Sequence, residues 1–256
     1  MQKRFKNMKM KNFLAKISYD GTEFKGWQIQ KEGRTVQQVI EGALSVIAKT
    51  DIKVTSAGRT DARVHALGQY ANFHFPIPMS TDQIRLALRS NLPSDVSIIH
   101  IREVSDDFSA RYDAKSRIYQ YILAKERSPF NRNYKSFIPR VKINTEIIEK
   151  CLEHFIGKHD FISFAKYNPD LNNYFCNISK FVVEETNEDY KFLIQSNRFL
   201  HNMVRRIIGT IINISNTQSE PVIIKQLISA KTPDNKLIST APPNGLYLLD
   251  VEYPIL

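Results

Sequence analysis

The sequence is poor in cysteine, with two residues, Cys151 and Cys176, in 256. Two thiols exclude a disulfide framework and a four-thiolate zinc site, and they fit buried thiols in a reducing cytosol. Unbroken apolar runs are short as well, none reaching the roughly 18 residues that a conventional spanning helix needs. There is no P-loop and no GxGxxG. No repeat recurs at a solenoid period, and no low-complexity linker divides the chain. Acid is missing from the start: nothing acidic precedes Asp20, while Lys3, Arg4, Lys6, Lys9 and Lys11 all do. That opening stretch lacks the apolar centre of a signal peptide and the serines of a transit peptide. Residues 1–11 therefore read as a basic disordered arm.

What is present is an ordinary core and an excess of cations. Apolar residues make up 42% of the chain, which is enough to bury a sizeable core. The length suits one or two domains at about 150 residues each. Lys plus Arg is 36 against 26 for Asp plus Glu, a formal charge of +10. Such an excess points to a polyanionic partner, nucleic acid before an anionic membrane.

Periodicity sketches the elements. Residues 12–19 alternate as a strand, and Asp20-Gly21 signals a turn. Thr35 precedes Val36, Val39, Ile40, Ala43, Leu44 and Ile47 at helical spacing, and with Gln38 it forms a capping box. A short strand is expected near 52–56. A further strand places Ala71, Phe73 and Phe75 on one face and Tyr70, Asn72 and His74 on the other, and Pro76 and Pro78 end it. A helix starts near Thr81. Strands follow at 96–104 and 116–124, the latter with Tyr119, Tyr121 and Leu123 on one face. Asn144 caps a helix bearing Ile148, Cys151, Leu152 and Phe155 that stops at Gly157. Two strands come next, around 178–185 and 190–196. The helix over 201–215 turns Val204, Ile207, Ile208 and Ile211 inward, and Pro221 begins another. A strand at 246–253 closes the chain. Strands and helices do not alternate strictly, so an α+β fold with an antiparallel sheet fits better than a Rossmann layout.

The densest polar cluster is Gly58-Arg59-Thr60-Asp61, with His65 just beyond. A carboxylate beside an arginine is favoured in its charged form and held in direction, as a nucleophile or base requires. An Asx turn or a helix cap is the commoner use of such an aspartate. Metal motifs are weak, because His65 and His74 lack a second carboxylate at useful spacing, and a two-metal nuclease needs several. His154 and His159 flank Gly157 without thiolates and suit a surface role. From Arg102 to Lys142 cations are dense, and between Phe108 and Lys142 the only acids are Asp113 and Glu126. Tyr112, Tyr119, Tyr121, Phe130 and Tyr134 are interleaved. Cations for phosphates with aromatics for bases is the signature of RNA binding.

At SAGRTDARVHALGQ (56–69) the sequence resembles the signature of the tRNA pseudouridine synthase A family, whose usual form reads AGRTDAGVHA. YDGTEFKGWQIQ (19–30), SNLPSDVSI (90–98), DDFSARYDAKSRIYQYIL (106–123), DFISF (160–164), RFLHNMVRRIIGT (198–210) and GLYLLDVEYP (245–254) agree in order. The resemblance implies a pseudouridine-synthase fold: two α+β halves, 12–107 and 108–256, sharing a largely antiparallel central sheet flanked by helices. It implies isomerisation of uridine to pseudouridine at positions 38, 39 and 40 in the anticodon stem-loop of tRNA. No cofactor and no metal are implied; the enzyme would be a cytoplasmic homodimer without membrane attachment.

By the same resemblance Asp61 is the nucleophile, Tyr119 stacks on the target base and Arg205 pairs with the catalytic carboxylate. Arg206 is the less fitting neighbour. Leu246 packs near the uracil, and Arg59 helps extrude the target base. Phe108, Ser109, Ala110, Arg111 and Tyr112 form a tRNA-contacting segment. Apart from the resemblance, His201 stands at the start of a helix, where it is either a substrate contact or a satisfied cap-region histidine. Two departures stand out. Arg63 occupies the place of the family glycine, where a positive φ would cost about 1 kcal/mol. The stretch 166–180 has Lys166 but no arginine, although the family often places one in this region. The alternative to catalysis is a silent RNA-binding or chaperone module on the same fold, which Arg63 favours.

Overall fold

The computed structural model describes residues 10–233 and 235–254. All of the basic arm before Met10 lies outside them. Contacts divide the chain into two units: one runs to Lys115 and resumes at Leu248, and the other is Ser116–Tyr247.

The first unit is built on β1 (Lys11–Tyr19), α1 (Val36–Ala48), β2 (Thr55–Ser56), β3 (His65–Phe75), α2 (Thr81–Asn91) and β4 (Val96–Val104). β1 lies between β3 and β4, antiparallel to both, and β2 adds to β3. The expected alternation of β3 is present: Ala71, Phe73 and Phe75 are buried. Phe13 faces Phe73 across the β1–β3 pair, with ring centroids 5.9 Å apart. The opposite face is also covered, since Leu14 packs with Phe108, Ala110, Tyr70 and Tyr253.

Helix α1 starts where the sequence placed it, but of the expected capping box only one half is seen, the Thr35 hydroxyl accepting from the Gln38 amide at 3.4 Å. Val36, Ile40, Ala43 and Leu44 are buried. Ser80 and Gln83 form a full reciprocal capping box on α2. The strand expected at 52–56 shrinks to Thr55–Ser56, because helix α1 takes the preceding amides. Ser45 Oγ accepts from Ile52 N at 2.9 Å, and Glu41 Oε1 accepts from Val54 N at 3.1 Å.

The second unit holds β5 (Ser116–Ala124), α3 (Thr145–Glu153), β6 (Gly157–Asp160), β7 (Phe175–Glu185), β8 (Asp189–Ser196), α4 (Met203–Thr217) and α5 (Ile223–Ala230). Its strands run in the order β5-β8-β7-β6, every pair antiparallel. The last strand, β9 (Leu246–Glu252), contains the division between the units. Tyr119, Tyr121 and Leu123 are buried along one face of β5. Asn144 caps α3 as expected, but the helix ends at Glu153 rather than at Gly157. Gly157 instead opens β6 at φ +101, a strand too short and polar to show in the periodicity. Val204, Ile207, Ile208 and Ile211 are all buried on α4, and Pro221 lies just ahead of α5. Mixed order and antiparallel pairing place the protein in the α+β class.

Candidate active site

Between β2 and β3 the chain makes the loop that carries Asp61, and neighbours within the first unit brace its backbone. Gln69 Nε2 donates to Gly58 O at 2.9 Å, and Trp27 N donates to Thr60 O at 3.0 Å. Arg63 N donates to Phe24 O, and Val64 N closes a turn onto Asp61 O, both at 3.2 Å. The Tyr19 hydroxyl meets Thr60 Oγ1 at 2.7 Å. Burial pushes the Tyr19 phenol far up, against hydrogen bonds to Thr60 and Gln69 that pull it down. Tyr19 is thus a neutral tether on the loop.

The stretch after β1 fits against this loop because it carries no side chain at two points. Gly26 has φ +98, and a Cβ there would lie 2.7 Å from Thr60 O and 3.1 Å from the Asp61 carbonyl carbon. A Cβ on Gly21 would overlap the Val64 carbonyl oxygen. The Gly21 amide donates to His65 Nδ1 at 3.0 Å. With that nitrogen acting as acceptor, the buried His65 serves the turn rather than a metal. Asp61 itself is half-buried, and Arg59 and Arg63 are exposed on the same loop. Arg63 adopts φ 65, the left-handed backbone that suits a glycine.

Tyr119, Arg205, His201 and Leu246 belong to the second unit. Tyr119 is buried on β5, its ring edge-on to Phe199 at 5.1 Å and 87°. Arg205 lies in the first turn of α4, where Nε donates to Ala241 O at 2.9 Å and Nη1 to Asn202 Oδ1 at 3.1 Å. These bonds hold the guanidinium between the helix start and the 241 backbone. Burial pushes the nearby Tyr121 phenol up, against a Ser136 hydrogen bond and the charge of Arg205. Arg206 turns to another partner, donating to Ala165 O at 2.6 Å. His201 and Lys166 are exposed, and the His201 carbonyl accepts from Lys166 N at 2.9 Å. Leu246 is buried.

The segment after β4 lies on the first unit. Phe108 and Ala110 are buried, whereas Arg111 is exposed and Tyr112 is 78% exposed. The Arg111 guanidinium sits 5.4 Å from the Tyr112 ring centroid, within cation–π range. Asn12 and Asn72, which the sequence reading did not single out as site residues, hold this segment from below. Their signal was legible: asparagine is depleted in strand interiors, and both sit among apolar neighbours in β1 and β3. Gly26 was equally passed over; a lone glycine in a loop does not say what backbone it admits.

The basic stretch from 102 to 142 divides in two. Lys125 is paired with Glu185 at 2.6 Å, and Lys135 with Asp189 at 2.8 Å. Phe130 is 88% exposed, while Tyr119 and Tyr121 are core residues. Among the described residues no three His, Cys, Asp or Glu side chains gather to hold a metal ion. Nor is any helix among them long and apolar enough to cross a membrane.

A mixed α+β chain with a braced acid loop beside an exposed arginine suits an enzyme that works on RNA, and the comparisons with known proteins make that class definite. The chain belongs to the tRNA pseudouridine synthase family, whose model matches residues 15–113 and 151–254. The family's members are isomerases that modify tRNA. A relative from Caldicellulosiruptor saccharolyticus, named tRNA pseudouridine synthase A, is 41% identical over 246 residues, covering 95% of this chain and 100% of that one. A protein of the same name from Lysinibacillus sphaericus is 39% identical over 249 residues, with 95% and 100% covered. Another from an Exiguobacterium species is 35% identical over 245 residues, with 95% and 98% covered.

Proposed function

We propose that this enzyme isomerises uridine to pseudouridine at positions 38, 39 and 40 of the tRNA anticodon stem-loop, with Asp61 as nucleophile and without a cofactor. The observation that carries this reading is the build of the Asp61 loop. Its backbone is held by Trp27, Phe24 and Gln69, while the carboxylate-bearing residue stays only half-buried. A fixed backbone aims the carboxylate, and orientation is a major source of catalytic rate.

In the reaction the N1–C1′ bond breaks, the uracil turns, and C5 bonds to C1′. The C5 proton leaves and N1 gains one, so substrate and product are isomers and no electron acceptor enters the balance. A uridine inside a stem is stacked, and extruding it costs a few kcal/mol. Arg59, exposed on the Asp61 loop, is assigned to help drive the base out. Tyr119 is assigned to stack on the uracil, Leu246 to pack near it, and Arg205 to supply the cation for the catalytic carboxylate. The Phe108–Tyr112 segment is assigned to contact the tRNA through exposed Arg111 and Tyr112 beside Ser109, with Phe108 and Ala110 as its buried footing, and His201 is assigned to touch the RNA as well. The working form is a homodimer in the cytoplasm.

The test is pseudouridine mapping of tRNA after incubation with the enzyme. New pseudouridine confined to positions 38–40 is the expected result; modification elsewhere would contradict the assignment. Tight tRNA binding with no product would favour the second reading, a silent RNA-binding module. The feature behind that reading is Arg63, which holds a left-handed backbone at the family's glycine position.

A further inference from the structure

Two buried asparagines outside the proposed chemistry lie beneath the segment assigned to tRNA. Asn12 is fully buried on β1 and Asn72 is 7% exposed on β3. An asparagine side chain has two N–H donors and one carbonyl acceptor, and burying them unbonded is costly. Here each donor nitrogen has two acceptors. Asn12 Nδ2 donates to Ser105 O and to Phe108 O, both at 2.9 Å. Asn72 Nδ2 donates to Asn12 Oδ1 at 3.1 Å and to Phe108 O at 3.2 Å. Asn72 Oδ1 accepts from Ala110 N at 2.9 Å. From the other side, the Tyr253 hydroxyl donates to Ala110 O at 2.8 Å.

Turning the Asn72 amide over would set N–H against N–H at Ala110, so the network has one orientation. It grips only main-chain atoms between Ser105 and Ala110. Of regular structure the segment has only short turns, including Phe108 N to Ser105 O and Asp113 N to Ser109 O. Beyond the grip come exposed Arg111 and Tyr112. Ordering a binding segment beforehand removes an entropy cost that association would otherwise bear.

We propose that Asn12 and Asn72 are positioning residues for tRNA binding: their paired amides fix the Phe108–Ala110 backbone so that Arg111 and Tyr112 are presented to the RNA. This rests on the assignment of Phe108–Tyr112 to tRNA contact made above. Asn72→Asp keeps the acceptor for Ala110 N and replaces both donors with an oxygen facing two oxygens. Tyr253→Phe removes a single hydroxyl and keeps the ring that packs on Phe108.

The experiment measures the tRNA Kd and the kcat at saturating tRNA for both variants, for Arg111→Ala/Tyr112→Ala, and for that pair combined with Asn72→Asp. Asn72→Asp is expected to weaken binding about tenfold and Tyr253→Phe about threefold, with kcat unchanged. In the Arg111→Ala/Tyr112→Ala background, Asn72→Asp adds no further loss. The clamp is overturned by wild-type affinity in both variants beside a weakened Arg111→Ala/Tyr112→Ala protein. It is equally overturned by a full additional loss in that background, which marks a merely structural role. Wild-type affinity of Arg111→Ala/Tyr112→Ala itself overturns the tRNA assignment instead. If Asn72→Asp does not fold, Tyr253→Phe takes its place, by itself and in the Arg111→Ala/Tyr112→Ala background, under the same criteria.

Discussion

In the first unit Asp61 stands on a loop with no regular structure, and its position comes from main-chain partners, from the Gln69 amide and the Tyr19 hydroxyl, and from the side chains that Gly21 and Gly26 lack. In the second unit Tyr119 and Arg205 stand on a strand and on the first turn of a helix, and Arg205 places itself with its own hydrogen bonds. The first arrangement needs bare backbone at two glycines in addition to polar contacts, whereas the second rests on polar contacts made by the arginine itself. Adding a carbon should therefore damage the first, whereas removing a polar group should damage the second.

The largest effect belongs to Gly26→Ala. Its φ of +98 and the 2.7 Å approach to Thr60 O leave no room for a methyl group. A loss of about 2–4 kcal/mol is expected, read as a lower midpoint in urea, together with loss of tRNA modification. Gly42, with nothing within 4 Å of its Cβ position on α1, is the control. Gly42→Ala should gain up to about 1 kcal/mol from helix propensity alone. Equal effects at the two glycines would break the comparison.

Arg205→Met comes next. It removes donors to Ala241 O and Asn202 Oδ1, and about 1–3 kcal/mol should be lost. The change is measurable by denaturant unfolding beside a loss of turnover. Arg63→Gly should act in the opposite direction. Relieving φ 65 at an L residue should add about 1 kcal/mol, seen as a raised melting temperature.

Smallest in consequence are the buried thiols, which belong to neither arrangement. Burial pushes Cys151 and Cys176 up to about 12, against about 8.5 in an unfolded chain. The folded state thus keeps protons that the unfolded chain gives up at high pH. Their contribution to stability is full below about pH 8.5 and declines as pH rises toward 12. Iodoacetamide at pH 8 should leave both thiols of the native protein unmodified and should alkylate both in urea.

The same contrast explains what was readable in the sequence. Elements with a period were legible: β5 falls at 116–124 and β4 at 96–104 as expected, and the caps at Thr35 and Asn144 are in place. Elements fixed by long-range partners were not. The strand before β3 was shortened by Glu41 and Ser45, distant carriers of acceptors that no local pattern announces. β6, a Gly-Lys-His-Asp strand, has no alternation to read. At the candidate site the polar cluster around Asp61 was visible as residue types. What orients it, Gly26 and the Tyr19–Thr60 contact, depends on neighbours brought in from residues 19–27. The Asn12–Asn72 pair likewise joins residues on different strands.

The central claim concerns one carboxylate, and tritium release from C5-labelled uridine in tRNA tests it most directly. The wild-type enzyme should release tritium in step with pseudouridine formation. Asp61→Asn, which keeps the size of the side chain and removes its charge, should bind the same tRNA and release none. Release by Asp61→Asn at the wild-type rate would contradict the account.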